Sequence, residues 1–134
     1  MTDRPEFQSE LFKKGKRIRG EVAGADHLER MLAKADDFSA PIQQLVTEYC
    51  WGHVWGREDL LPRKTRSMLN LAMLAALGRG HEFKLHCKGA LVNGVSREEI
   101  REIIMAIGIY AGVPAMMEST RHAQEVFAEV DAKT

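Results

Sequence analysis

The chain has 134 residues, and 19 Lys plus Arg balance 19 Asp plus Glu, so its formal net charge is zero. This balance predicts neither a nucleic-acid partner nor an anionic membrane surface, and it does little to oppose self-association. No apolar run approaches the roughly 20 residues of a membrane span, and the first residues lack an apolar signal core. With two widely separated cysteines, Cys50 and Cys87, we expect a single-domain cytoplasmic protein with free thiols.

Helical spacing of apolar residues predicts an all-α fold of six or seven helices and no sheet. In the first part of the chain, Gly24 can stop the first helix, and Ser39 and Pro41 are typical of a helix start. The predicted segments are a helix over 6–23, a short helix or turn over 26–37, a helix over 39–56 and a loop over 57–61.

In the second part of the chain, Pro62 is typical of the start of another helix. From Met68 to Leu77 that helix is apolar around most of its circumference, so we expect it to be central and buried. Ser96 and Glu99 have capping-box spacing. The later helices are expected over 81–93, 96–112 and 114–130. Two helices are too apolar for a lone small bundle, which favours packing between subunits.

The stretch from residue 78 to residue 89 contains two histidines, a glutamate, an arginine and a cysteine. On a helix, Arg79, Glu82 and His86 share one face. A carboxylate four residues before a histidine can orient the ring and raise its pKa, and the arginine can anchor an anion. The alternative is a solvated helix face with ordinary ion pairs.

Metal and thiol chemistry have weaker support in the same stretch. His81 and His86 are five residues apart, whereas a zinc-binding histidine pair on a helix needs a spacing of four, so we predict no metal site. The chain has no Cys-x-x-Cys, and Cys87 points away from the face of His86. A buried, inert thiol is the better interpretation.

Other candidate ligand-binding residues lie outside this stretch. Trp51 and Trp55, four residues apart, are typical of a core but can also wall a small-molecule pocket, with Glu48 on a similar face. Arg66 belongs to a basic cluster at a helix start, which is either solvated or available to substrate carboxylates. His122 has no evident partner and is interpreted as structural.

Several motifs together resemble the carboxymuconolactone decarboxylase family of the alkylhydroperoxidase D-like, all-helical superfamily. They are "WGHVW", "RKTRS" with "NLAMLAALGR", "GALVNGVSREEI" and "YAGVPA". The resemblance covers a family core over 36–130, preceded by an N-terminal helical arm over 1–35. It implies a ring-shaped homohexamer, a trimer of dimers.

The resemblance also implies a reaction: cofactor-independent decarboxylation of 4-carboxymuconolactone to 3-oxoadipate enol-lactone in protocatechuate degradation. The peroxidase branch of the superfamily has two cysteines and a histidine that align with Arg79, Glu82 and His86. Because the thiol pair is missing, a dithiol peroxidase is not expected. In this interpretation His86, tuned by Glu82, donates a proton or hydrogen-bonds the dienolate, and His81 is a second acid–base candidate. Arg79 and Arg66 hold the oxygens of a lactone dicarboxylate, and Trp51 and Trp55 wall the pocket.

Departures from the family pattern leave alternatives open. Close relatives often have an acidic residue where this chain has His81, and the segment before Trp51 is unusual. The chain can therefore be a paralogue that acts on another small lactone or keto acid. A non-catalytic oligomeric binding protein and a residual thiol antioxidant that uses Cys87 are further alternatives.

Overall fold

The computed structural model describes residues 3–134, which form two compact units, one ending at Pro62 and the other covering Arg63–Thr134. The first unit contains a 3-10 helix Pro5–Phe7, α1 (Glu10–Ala23), α2 (Ala25–Ala33), α3 (Ala40–Leu45) and a π-helical segment Val46–Val54. The second contains α4 (Arg63–Ala76), α5 (Gly80–Val92), α6 (Arg97–Tyr110) and α7 (Val113–Ala132). Residues 3–134 contain no strand, which confirms the predicted all-α fold.

The core of the first unit has two parts, both built on α1. Phe7 stacks on Phe12 with ring centroids 4.6 Å apart, and Leu28 and Leu32 of α2 pack against these rings. The second part consists of Ile18, Val22, Trp51 and Trp55. The two tryptophans thus form part of a hydrophobic core together with α1.

The predicted helix over 39–56 is present, but its second half is wound as a π-helix. The Trp55 N–H donates to the Cys50 carbonyl at 2.9 Å, which is the i to i+5 bond of π winding. Ser39 occupies the predicted N-cap position of α3, but its hydroxyl does not cap the helix. Its hydroxyl instead accepts a hydrogen bond from the Asp36 N–H at 3.0 Å, because the preceding turn folds back on it.

The second unit has its core between α4, α5, α6 and α7. Its fully buried residues include Leu71 of α4, Phe83 of α5, Ile100 of α6 and Val126 of α7. Cys87 lies in the same cluster. Each helix therefore contributes one apolar stripe to a shared interior, as amphipathic helices do.

The helix α4 is central, as expected, since it packs against α5, α6 and α7, but it is not buried on all sides in a single chain. One stripe of α4 is buried, formed by Ser67, Leu71 and Ala75, because α5 and α6 pack on that side. Apolar residues on the other faces of α4 and α6 remain open to solvent. This α4–α6 apolar face includes Leu69, Met73 and Tyr110, which are between 47% and 92% exposed.

Local signals predicted most helix ends correctly. Ser96 Oγ accepts from the Glu99 N–H at 3.0 Å and Glu99 Oε1 accepts from the Ser96 N–H at 2.9 Å, which is a complete capping box. Gly24 follows α1 with φ +105°, and Pro114 lies in the first turn of α7. Within residues 3–134, no helix combines the length and apolar character needed to cross a bilayer.

Candidate active site

The turn between α4 and α5 places Arg79 at the start of α5. Gly78 has φ +73°, a left-handed conformation in which other residues meet a Cβ clash. The Gly78 N–H donates to the Ala75 carbonyl at 3.1 Å, and the Arg79 N–H donates to the Leu74 carbonyl at 2.9 Å. This is a Schellman C-cap, so Arg79 follows directly as the N-cap of α5 with an exposed side chain.

Glu82 and His86 lie one turn apart on α5, as their spacing predicts. Glu82 is exposed and His86 is half-buried. Burial lowers the pKa of His86, and the negative charge of Glu82 opposes this with a smaller effect. The expectation of a raised pKa is therefore wrong, since desolvation outweighs the carboxylate, and the His86 ring is mainly neutral at pH 7.

Arg79 lines a cleft of about 340 Å³ between the start of α5 and the first half of α7. The other polar residues of its lining are Glu118, Ser119 and His122 of α7. Glu82 and His86 are not among the lining residues. Helical spacing placed Arg79, Glu82 and His86 on one face, but only Arg79 lines the cleft.

His122, which the sequence suggested was structural, contacts the start of α5 in this cleft. Its Nε2 faces Gly80, where an added Cβ would lie only 2.5 Å away, so any other residue at this position would displace the ring. Nε2 is also 3.6 Å from Glu118 Oε1, and Nδ1 is 4.0 Å from Glu125 Oε2. Glu118 precedes His122 by four residues, the same spacing that drew attention to Glu82 and His86, and this was the signal that could have identified it.

The remaining predicted residues of the second unit lie in separate settings. His81 is exposed on α5, and Arg66 is half-buried on α4. Next to Arg66, the buried Ser67 accepts a hydrogen bond from Asn93 Nδ2 at 2.9 Å, so it ties α4 to the end of α5. The assigned roles of His81 and Arg66 in catalysis and binding stay predictions.

The predicted residues of the first unit have contacts within that unit. Trp51 and Trp55 stack with ring centroids 4.8 Å apart and are only 4% and 3% exposed. Glu48 Oε2 accepts hydrogen bonds from Ser9 Oγ and, at 3.4 Å, from Gln44 Nε2. Since Ser9 caps α1, Glu48 supports that helix start. A role for these three residues in substrate binding stays a prediction.

The Cys87 thiol is unsuited to antioxidant chemistry. The side chain is 0% exposed, and burial raises its pKa to about 11. Since the thiolate is the reacting form, almost none is present at neutral pH. The alternative of a thiol antioxidant that uses Cys87 therefore has no support in this geometry. Among residues 3–134, no group of three or more His, Cys, Asp or Glu side chains is arranged to hold a metal ion.

Comparisons with known proteins support one family. The model of the carboxymuconolactone decarboxylase family matches residues 40–125, within the predicted core. The chain is 39% identical to a 4-carboxymuconolactone decarboxylase of Acinetobacter baylyi over 119 residues, 89% of this chain and 88% of that protein. It is also 39% identical to a nitrosuccinic acid decarboxylase of Metarhizium robertsii over 114 residues, 85% of this chain and 79% of that protein. The chain therefore belongs to the carboxymuconolactone decarboxylase family.

Proposed function

We propose that the protein is a carboxy-lyase that decarboxylates 4-carboxymuconolactone to 3-oxoadipate enol-lactone and CO2 without a cofactor, in protocatechuate degradation. The main support is the 39% identity to a 4-carboxymuconolactone decarboxylase over most of both chains. The cleft beside Arg79 adds a concave site of suitable size with a cation at its edge.

The substrate explains why no cofactor is required. Its carboxyl group sits on the ring carbon next to a double bond that is conjugated with the lactone carbonyl. When the bond to CO2 breaks, its electron pair flows into that carbonyl and forms a dienolate. The protein has to bind a dianion, stabilise the negative charge that develops on the carbonyl oxygen, and deliver a proton to carbon.

His86 acts on the reacting part of the substrate in this proposal. A neutral imidazole has one N–H to donate, which suits a hydrogen bond to the developing dienolate oxygen. The negative charges of a bound substrate, added to that of Glu82, would favour protonation of His86 and allow it to protonate carbon. His81, one residue before Glu82, is the second acid–base candidate.

Two arginines of the second unit bind the charged groups of the substrate in this proposal. Arg79 and Arg66 hold carboxylate or carbonyl oxygens through their guanidinium groups. Trp51 and Trp55 are buried in the core of the first unit, and Glu48 accepts a hydrogen bond from Ser9, so only the resemblance supports a binding role for these three residues.

A second candidate substrate is nitrosuccinic acid, which the name of the Metarhizium robertsii relative supports at equal identity. This compound is a four-carbon dicarboxylic acid in which a nitro group, in place of the lactone carbonyl, can accept the electron pair. The two candidates share two carboxylates and a built-in electron acceptor. Another small lactone or keto acid with these features fits the same chemistry.

The test supplies both candidate substrates to the purified protein. The lactone is generated in situ, and enol-lactone formation and CO2 release are followed; nitrosuccinic acid is tested in parallel for CO2 release. Arg79→Ala is expected to lower kcat/KM, and His27→Ala, at an exposed position on α2, is the control. Unchanged kcat and KM in Arg79→Ala would remove Arg79 from the site. No turnover of either compound by the folded protein would favour a non-catalytic binding protein or a different substrate.

The protein is further proposed to assemble with copies of itself through the α4–α6 apolar face. This face contains a groove of about 550 Å³, and monomeric proteins rarely leave so continuous an apolar surface in water. The resemblance to the family implies a hexamer, a trimer of dimers. Light scattering that gives a mass near the 15.1 kDa of one chain would contradict this. Met73→Asp is expected to lower the assembled mass, whereas Phe38→Asp, at an exposed residue outside the face, should leave it unchanged.

A further inference from the structure

We propose that the cleft between α5 and α7 is a carboxylate-binding subsite, in which Arg79 and His122 together hold one carboxylate of a small dicarboxylic acid. This assignment deepens the proposed function and rests on it for the class of ligand. Arg79 was expected to act beside Glu82 and His86. It instead lines a cleft together with a histidine of another helix.

The size and lining of the cleft suit a small organic acid. Its volume of about 340 Å³ lies at the lower end of the roughly 300–1,000 Å³ of small-molecule sites. Phe83 and aliphatic residues of α4 and α7 form its apolar walls, and its polar groups are few. Such a combination holds a short carbon skeleton and orients it through a small number of hydrogen bonds. The lining residues that carry charge or titrate are Arg79, Glu118 and His122.

The position of His122 is defined by contacts on three sides. Gly80 leaves room for its Nε2, and the Phe83 ring lies with its centroid 6.4 Å from that of the imidazole. Behind the ring, Glu125 approaches Nδ1 at 4.0 Å, while Lys84 Nζ lies 2.8 Å from the same carboxylate oxygen of Glu125. The side chain is 22% exposed, so the ring is held in place and still reaches the cleft.

Glu118 is the residue that an incoming carboxylate would displace. Its Oε1 lies 3.6 Å from His122 Nε2, beyond a good hydrogen bond, and its side chain is 49% exposed. A partner that is half in water can turn outward at little cost. A ligand carboxylate could then accept from Nε2–H and from the guanidinium of Arg79, whose neighbour Gly80 contacts the same ring.

The test uses succinate, an unreactive dicarboxylate, and the intact protein with nitrogen-15 in its histidine rings. Succinate is expected to shift the ring resonances of His122 saturably and to leave those of His27 unmoved. Arg79→Ala is expected to weaken succinate affinity by about tenfold or more, as for the loss of a charged hydrogen bond. Gly80→Ala is also expected to weaken succinate affinity, although Arg79 and His122 are both retained, because the new Cβ displaces His122 Nε2. His27→Gln, at an exposed position, is the matched control.

The wild-type titration alone can overturn the proposal, even if a variant fails to fold. If the His122 resonances do not shift with succinate, the subsite does not exist. Saturable shifts at His86 instead would place the carboxylate farther along α5 and would likewise contradict the proposal. Lactone turnover with a silent His122 would leave the proposed function standing without this subsite. Succinate bound at His122 with no turnover of either candidate substrate would support the subsite and contradict the proposed function.

Discussion

Two glutamate–histidine pairs with the same four-residue spacing lie on α5 and α7, helices that pack against each other. In the pair Glu82–His86, the histidine is half-buried and burial lowers its pKa. In the pair Glu118–His122, the histidine lines a cleft together with Arg79. Spacing along a helix produces the same local pair twice, and the packing around each histidine gives the two pairs different properties.

The difference separates two tasks that a decarboxylase of this kind needs. A half-buried, neutral imidazole can hydrogen-bond charge as it develops, because little water competes with it. An imidazole at the edge of an open cleft beside a guanidinium is better suited to bind a carboxylate that keeps its charge throughout. We therefore expect the two histidines to affect kcat and KM differently.

The largest expected effect separates these roles kinetically. His86→Ala is expected to lower kcat by about 100- to 10,000-fold, because it removes the group that we propose as proton donor. His122→Gln is expected to act mainly by raising KM, because it removes binding that substrate and transition state share. Steady-state kinetics on the proposed lactone substrate measures both, with circular dichroism to verify folding. Equal losses of kcat in the two variants would abolish the distinction.

A second, smaller effect concerns the turn that supplies Arg79 to the cleft. Gly78→Ala is expected to lower the free energy of unfolding by about 1–2 kcal/mol, because a Cβ at φ +73° is strained although no atom lies within 4 Å of it. Gly20→Ala, in the interior of α1, is the matched control. Its Cβ would meet its nearest neighbour at 3.6 Å, so it should stabilise by about 0.4–1 kcal/mol. Urea unfolding measures both, and equal effects would contradict the account of the turn.

The burial of His86 should make the stability of the protein depend on pH. Its pKa is lower in the folded than in the unfolded protein, so below pH 6.5 the unfolded chain binds a proton that the folded chain resists. The associated stability is complete above pH 6.5 and declines as the pH falls below it. Thermal unfolding measured from about pH 7.5 to about pH 5 should show this. The unfolding temperature should fall more steeply with pH for the wild type than for His86→Gln. Parallel profiles would show that burial does not perturb this histidine.

The smallest expected effect concerns the glutamate of the second pair. Glu118→Gln is expected to change the free energy of unfolding by less than about 1 kcal/mol, because the carboxylate is half exposed and its contact with His122 is long. The same change should strengthen succinate binding, since it removes the competing negative charge from the cleft. Weaker binding in this variant would show that Glu118 orients the histidine instead of competing for it.

The sequence was most informative about helix ends, because those signals are local. The capping box of Ser96 and Glu99 and the glycine stop at Gly24 depend on residues within one turn of each other. The family motifs likewise identified the family, which the comparisons confirm, and its all-α fold, which the structure has.

Features that depend on packing could not be predicted in this way. The π winding before Trp55 depends on how α1 packs, since Gly15 admits the Thr47 carbonyl there. The pKa of His86 depends on burial, which spacing along α5 does not reveal. The contact between Gly80 and His122 joins two helices far apart in sequence, and neither residue alone suggested it.

The two helix starts that line the cleft have a consequence for practical work. Arg79 and Gly112 occupy the N-cap positions of α5 and α7, and neither helix start has a side-chain cap. Residues of both first turns line the cleft, so the positive ends of two helix dipoles lie beside it. Small inorganic anions are attracted to such surroundings. Phosphate and sulfate in a buffer should therefore compete with carboxylate ligands, and assays in chloride-poor, phosphate-free solution should show the highest affinity.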